Sequence, residues 1–325
     1  MGTHSRLSRG RRLVGLLFAL PLIAGGIVVE AAPAAAAPGW AVTSSPSPLG
    51  PTNGSLRGIS CPSATSCFAV GSFHSVLAQR WNGTRWSNML VPTPGPNGIL
   101  RAVFCPTTSS CFAVGQSGTN LLIEHWNGTT WSIVSTSNPP GATVGSLNGV
   151  SCRGPADCYA VGSSGTGSVT NTLIEHWNGT SWSVVGSPNP GDAFVSELTG
   201  VRCPLATMCV AVGFSQTASA TRTLAEHWDG TSWSIVASPN GSGSTYSTLS
   251  GLACLNPTSC FAVGYSVSPP RKTLIERWNG TSWSIVPSPN IGTGDGGFMD
   301  VSCASANSCE AVGLYFNTKI GRTHV

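Results

Sequence analysis

Charge is scarce in this 325-residue chain. Asp, Glu, Lys and Arg make up 9% of it, against about 25% in ordinary globular domains. A polytopic membrane protein is excluded nonetheless, because the only long apolar run is at the N-terminus. Basic runs are also lacking. Of 16 Lys and Arg, Arg6, Arg9, Arg11 and Arg12 lie in the leader, as does Glu30. The rest carries twelve basic against eleven acidic residues, a net charge of +1. Nucleic acid is therefore not an expected partner. Hydrophobic residues at 41% and 11 Trp exclude a disordered chain. There is no G-x-S-x-G, H-E-x-x-H or Walker loop, so no cofactor or metal is expected and catalysis has no evident seat. What the chain has in quantity is 40 Gly, 23 Pro and 12 Cys.

The first 37 residues read as a secretory signal peptide. Arg6 to Arg12 form a basic stretch, Leu13 to Val29 is apolar but broken by Pro21 and Gly25-Gly26, and Ala31 to Ala37 offers small-residue cleavage sites. A retained membrane anchor is the alternative, and Arg11-Arg12 leaves twin-arginine export as a minor option. The expected location is secreted, with no membrane span after cleavage.

Everything after residue 39 repeats. One unit reads L-x-G-V-S-C-x5-C-x-A-V-G, then a variable stretch, then L-I-E-H-W-N-G-T-x-W-S-I-V-x-S-P-N. Its first Cys falls at 61, 105, 152, 203, 254 and 303. That period fits propeller blades better than helical repeats. The turn signals divide each unit into four strands. Asn82-Gly83 and its counterparts at 127, 178, 229 and 279 predict a two-residue hairpin in which Trp126 opposes Thr129 and both Trp share a face with Leu122 and Ile133.

Strand one occurs six times and the Trp-led strand four only five times after such a turn. Trp40-Ala41-Val42 with Ser45-Pro46 supplies the sixth copy. The expectation is an all-β, six-bladed β-propeller over 38–325, closed by an N-terminal strand that completes the last blade. Blades fall near 51–95, 96–140, 141–190, 191–240, 241–290 and 291–325 plus 39–46. A piece of a longer repeat array is the alternative.

The cysteines form six pairs of equal spacing: Cys61 with Cys67, Cys105 with Cys111, Cys152 with Cys158, Cys203 with Cys209, Cys254 with Cys260, and Cys303 with Cys309. In an exported chain these predict six disulfides, each worth about 2 kcal/mol. Paired thiolates on a metal are the alternative, against which each unit offers two ligands where a structural zinc needs four. Glu-His-Trp recurs at Glu124-His125-Trp126, Glu175-His176-Trp177 and Glu226-His227-Trp228, and becomes Gln79-Arg80-Trp81 and Glu276-Arg277-Trp278 elsewhere. These positions lie far apart on a ring, so they predict hydrogen bonds or ion pairs between blades rather than a metal site.

Function is expected on the loops that vary between units, where Phe73, His74, Phe194, Phe214, Tyr246, Tyr265, Tyr315 and Phe316 fall. The innermost strands carry Arg57, Arg101, Asn148, Thr199, Ser250 and Met299 at one position, and Gly58, Ala102, Gly149, Gly200, Gly251 and Asp300 at the next. If the ring closes, Arg57, Arg101 and Asp300 cluster at the channel mouth, where two Arg can grip an anion. The candidate ligand-binding residues are Arg57, Arg101, Asp300, Phe194 and Tyr265.

Cys61-Pro62-Ser63, Phe68-Ala69-Val70-Gly71 and the stretch from Trp278 to Ser284 resemble secreted actinobacterial repeat proteins whose units read C-P-S-x-x-x-C-x-A-V-G and W-N-G-T-S-W-S-x-x-x-S-P-N. The resemblance implies the same repeat architecture and no reaction. More weakly, the Trp-Asn/Asp-Gly-x-x-Trp hairpin resembles that of six-bladed fucose-binding lectins. Glu124, Glu175, Glu226 and Glu276 stand two residues before Trp here rather than three, and the lectins' Arg-bearing strand is absent. The sialidase Asp-box is similar too, with different spacing. Three functions follow as expectations. The first is non-catalytic binding of a glycan or cell-envelope ligand by a monomer. The second is a sialidase- or kelch-type glycoside hydrolase, and the third a scaffold for an extracellular protein.

Overall fold

The computed structural model describes residues 44–46, 54–95, 97–290, 294–305, 307–317 and 321–324, with backbone alone at 317 and 321–324. The expected signal peptide and the expected closing residues Trp40, Ala41 and Val42 lie outside them. Among the described residues every regular element is a strand, and no helix is long and apolar enough to cross a membrane.

Six antiparallel units follow one another. Unit two is representative, with strands Gly98–Thr107, Ser110–Ser117, Asn120–Trp126 and Trp131–Ile133 hydrogen-bonded in that order. Units one, three, four and five (55–88, 144–185, 195–236 and 246–286) repeat the pattern, and unit six (295–324) has three strands.

The turn between the first two strands of every unit is closed by a disulfide, with the expected partners. Cys61 bonds to Cys67, Cys105 to Cys111, Cys152 to Cys158, Cys203 to Cys209, Cys254 to Cys260 and Cys303 to Cys309, each pair with Cα atoms 4.0 Å apart. The second cysteine faces the interior in five units. Cys67, Cys111, Cys158, Cys209 and Cys260 are all buried, whereas Cys309 of unit six is exposed.

The Trp hairpin departs from the expected two-residue turn. Trp126 opposes Trp131 and Glu124 opposes Ile133, so four residues make the loop. The reason is the Asn side chain. Asn127 Oδ1 accepts the backbone N–H of Thr129 and of Thr130, at 3.0 and 2.9 Å, and Gly128 takes the positive φ of +98°. An Asx turn thus replaces the backbone turn. The same bonds recur at Asn82, Asn178, Asp229 and Asn279. Alternation still puts both Trp on one face, but Ile133 is solvent-exposed.

That Trp face packs on the preceding unit. Phe68 of unit one lies 5.6 and 6.2 Å from the rings of Trp126 and Trp131. Phe112 repeats the contact on Trp177 and Trp182, and Tyr159 on Trp228 and Trp233. The strand-two aromatic is therefore a peg between two Trp of the next unit, a geometry that adds to simple area burial. Glu310 takes this place in unit six.

The Glu at this repeat position ties neighbouring units in three of them, as expected, while Glu124 has no such bond. Glu175 accepts from Thr136 of the unit before it, Glu226 from Ser187 and Glu276 from Ser238. The His bonds within its own unit, His125 to Ser110 and His176 to Asp157. Gln79 of unit one accepts from Ser45 at 2.5 Å and donates to the Pro46 carbonyl at 2.7 Å.

Among the described residues no sheet closes on itself. Ile59 of unit one is 61% and Val312 of unit six 55% exposed, whereas their counterparts in unit two, Val103 and Val114, are 6% and 0% exposed.

Candidate functional site

All six first strands contribute residues to the lining of a cavity of about 540 Å³. Backbone approach sets their composition. A Cβ on Gly58 would stand 2.9 Å from the Cα of Ala102, and one on Gly251 2.6 Å from the Cα of Asp300. Real Cβ atoms do not come this close, which explains small residues at that position.

The residue just before is where the site is made. In unit two Leu100 pairs with Gly115 and Ala102 with Val114, so Arg101 has no partner across the ladder. This β-bulge recurs in every unit and leaves Arg57, Asn148, Thr199, Ser250 and Met299 likewise unpaired. All six line the cavity. A bulge re-aims a side chain away from the sheet's own pairing, and here it delivers one side chain per unit to a shared space. The bulge also presses the Ile99 carbonyl onto Gly115, where a Cβ would collide with it. The Gly of A-V-G is thus the counterpart of the bulge.

Two units spend the bulged side chain on their neighbours. Asn148 donates to the Leu198 carbonyl at 2.9 Å, and Thr199 to the Leu249 carbonyl at 2.9 Å. Units one and two present guanidinium groups instead. Arg101 donates to Gln116 Oε1 at 3.1 Å, while its Nε is buried without a partner in the structure. Burial, and next to it the charge of Arg57, lowers the pKa of Arg101, with Glu197 working in the opposite sense. Glu197 accepts from Asn148 Nδ2 at 2.8 Å. Burial pushes its carboxyl up, while Arg101 and that hydrogen bond pull it down. Deeper along the strands, burial lowers the Arg202 pKa and nearby Asp300 opposes the shift.

The cavity therefore brings together three of the five expected ligand-binding residues, Arg57, Arg101 and Asp300. Phe194 and Tyr265 are not among its lining residues. Phe194 is 39% exposed in the loop before unit four, with its backbone bonded to Thr170 and Gln216. Tyr265 stacks on Tyr246. The twelve cysteines stand apart from the cavity as well. Neither Cys61, Cys105, Cys152, Cys203, Cys254 and Cys303 nor their partners Cys67, Cys111, Cys158, Cys209, Cys260 and Cys309 line it, so the disulfides staple the units and leave the cavity wall to other side chains. Sequence reasoning missed Arg202, although the repeat carried a signal for it. Arg202 stands where other units have Ser60, Phe104, Ser151, Ala253 and Ser302.

A scan against protein-family models and a search of the curated proteins both find no match. Solved structures do match. The WD40 repeats of RRP9 superpose with a TM-score of 0.54 at 9% identity, over 82% of this chain and 74% of that one. A polysaccharide lyase, an ulvan lyase bound to -[GlcA(1-4)Rha3S]-, gives 0.57 at 8% identity, over 83% and 76%. The SapL1 lectin in complex with alpha methyl fucoside gives 0.47 at 12% identity, over 83% and 94%, too distant to bear on ligands. Identities this low speak to fold alone, and WD40 repeats are propellers. The chain is an all-β protein with propeller-like relatives among solved structures.

Proposed function

We propose that this protein is a secreted, non-catalytic binding protein whose central cavity holds an anionic group of a glycan or cell-envelope polymer. The observation that carries this reading is the pair of bulged arginines. The charge of Arg57 acts on Arg101 across one cavity, with Glu197 opposing it, and a bound carboxylate or sulfate would engage both guanidinium groups through charge-assisted bonds. Glycan array binding tests it. Wild type is expected on uronic acid or sulfated glycans, and Arg57→Ala with Arg101→Ala should abolish that signal, at about 1.5–3 kcal/mol for each hydrogen bond to a charged group. Retention of the signal by the double variant, or binding of neutral glycans only, would reject the reading.

The same proposal takes the fold as a six-bladed propeller closed by the N-terminal strand. One observation supports closure. Ser45 and Pro46 make the bond to unit one that the tails of strand four in units two, three and four make to the next unit. Closure would also have to cover Ile59 and Val312, which the structure leaves exposed and whose counterparts other interfaces bury. Trp40→Ala and Gln79→Ala should each lower Tm by several degrees. No change in either variant would leave 40–46 without a part in stability.

A glycoside hydrolase is the second reading, favoured by the raised pKa of Glu197 in the cavity that Asp300 also lines. A carboxyl whose pKa is raised by burial holds its proton to higher pH than an exposed one, as a general acid must. Turnover of fluorogenic glycosides that disappears in Glu197→Gln would select it over simple binding.

A further inference from the structure

We propose a second subsite on the rim of unit five, built from Tyr246, Tyr265 and Arg271, that stacks a further ring of the same acidic oligosaccharide. This rests on the anion reading of the cavity. The rings of Tyr246 and Tyr265 lie nearly parallel, 14° apart with centroids at 5.9 Å. The guanidinium carbon of Arg271 sits 4.3 Å from the centroid of Tyr265. Tyr265 thus meets both Arg271 and Tyr246, and Tyr246 is 38% exposed. The strand carrying Arg271 is fixed there by the bond from its backbone N–H to Asp295 Oδ1 at 2.7 Å.

The other units act as an internal control. Where unit five has Tyr246, units three and four have Val144 and Val195. Tyr265 is matched by Ser163 and Phe214, and Arg271 by Thr170 and Thr221. Those units build the same four strands, so the blade does not require the trio. Its chemistry is that of a ring platform: a flat aromatic face with a polar tip suits a sugar with one apolar face and hydroxylated edges, and the adjacent cation favours an acidic sugar.

Position sets the ligand's length. Tyr246 opens the strand that delivers Ser250 to the cavity wall four residues later, which is about 13 Å along extended chain. An oligomer can span that distance from the rim to the cavity wall, and one sugar ring cannot.

Isothermal titration with galacturonic acid and with tetragalacturonate tests this. Tyr246→Val is the variant of choice, because sister units fold with Val at that position. Wild type should bind the tetramer more tightly than the monomer. Tyr246→Val should weaken tetramer binding about tenfold, leave the monomer unchanged and so erase most of the length preference, and Tyr246→Trp should restore it. The Arg57→Ala, Arg101→Ala double variant should lose both ligands. A length preference that survives in Tyr246→Val overturns the subsite while leaving the cavity reading intact. Failure of wild type to bind either sugar overturns the cavity reading itself.

Discussion

Replacing Glu124 with Gln is expected to stabilise the protein at pH 8 and to remove much of its pH dependence. Glu124 is fully buried, and neither carboxylate oxygen has a hydrogen-bond partner in the structure. Burial raises its pKa from 4.5 to about 8. Glu175, Glu226 and Glu276 occupy the same place in their units and are held lower, or partly compensated, by hydroxyl donors from the preceding unit, with pKa values of about 7, 7 and 8. The donor for Glu124 is missing because Val91 stands where the other units have Thr136, Ser187 and Ser238, and Val91 packs there as one more apolar residue.

The sign follows from linkage. A carboxyl whose folded pKa is raised keeps a proton that the unfolded chain gives up. Its contribution to stability is complete below about pH 4.5 and is lost as pH rises towards 8. At about 1.4 kcal/mol per pKa unit the ceiling for Glu124 is near 5 kcal/mol. Side-chain relaxation and entry of water bring the expected gain at pH 8 to about 2 kcal/mol, or several degrees in Tm. Unit one shows that a neutral amide is accepted at this place, since Gln79 occupies it. Val91→Thr should achieve part of the same gain by supplying the missing donor. Thermal melts of wild type and both variants at pH 5 and pH 8 decide the matter. A difference between the two pH values that is as large in Glu124→Gln as in wild type would refute it.

Gly115→Ala is expected to cost about 3 kcal/mol and to lose ligand binding together with stability. The added methyl would strike the carbonyl of Ile99, which belongs to the backbone of the paired strand and cannot swing aside as a side chain does. Relief requires the two strands to part, at a cost typical of overpacking or more. They would part at the bulge that aims Arg101, so the guanidinium moves with them. Gly118→Ala is the control. Gly118 has φ +58° and open space around it, so its replacement should cost about 1 kcal/mol through backbone strain alone and leave binding intact. Urea denaturation with a binding assay separates the outcomes. A Gly115→Ala protein as stable as Gly118→Ala would show that the strands yield more easily than their pairing implies.

The repeat made the strand count, the disulfides and the Trp faces legible, because each rests on alternation or on fixed spacing. The hairpin length was misjudged, since Asn-Gly serves a two-residue turn and an Asx turn equally well, and only the register of Trp126 with Trp131 separates them. Arg57 and Arg101 were legible because they stand at one repeat position, and Asp300 because it stands at the next. The bulge that aims the arginines was not, as an extra residue in a ladder leaves no mark on apolar periodicity. The unpartnered state of Glu124 was in principle readable, from Val91 five residues after Trp86.

The bulged position has one more consequence. Asn148 and Thr199 are committed to neighbouring strands, but Arg57, Arg101, Ser250 and Met299 point into shared space without a ladder partner. Their identities can drift at little cost to folding, because the pegs, staples and Asx turns that stabilise each unit lie elsewhere. If the cavity binds as proposed, selectivity and stability are written in separate residues of one repeat, and a combinatorial library at 57, 101, 250 and 299 should re-specify the ligand while inheriting an unaltered scaffold.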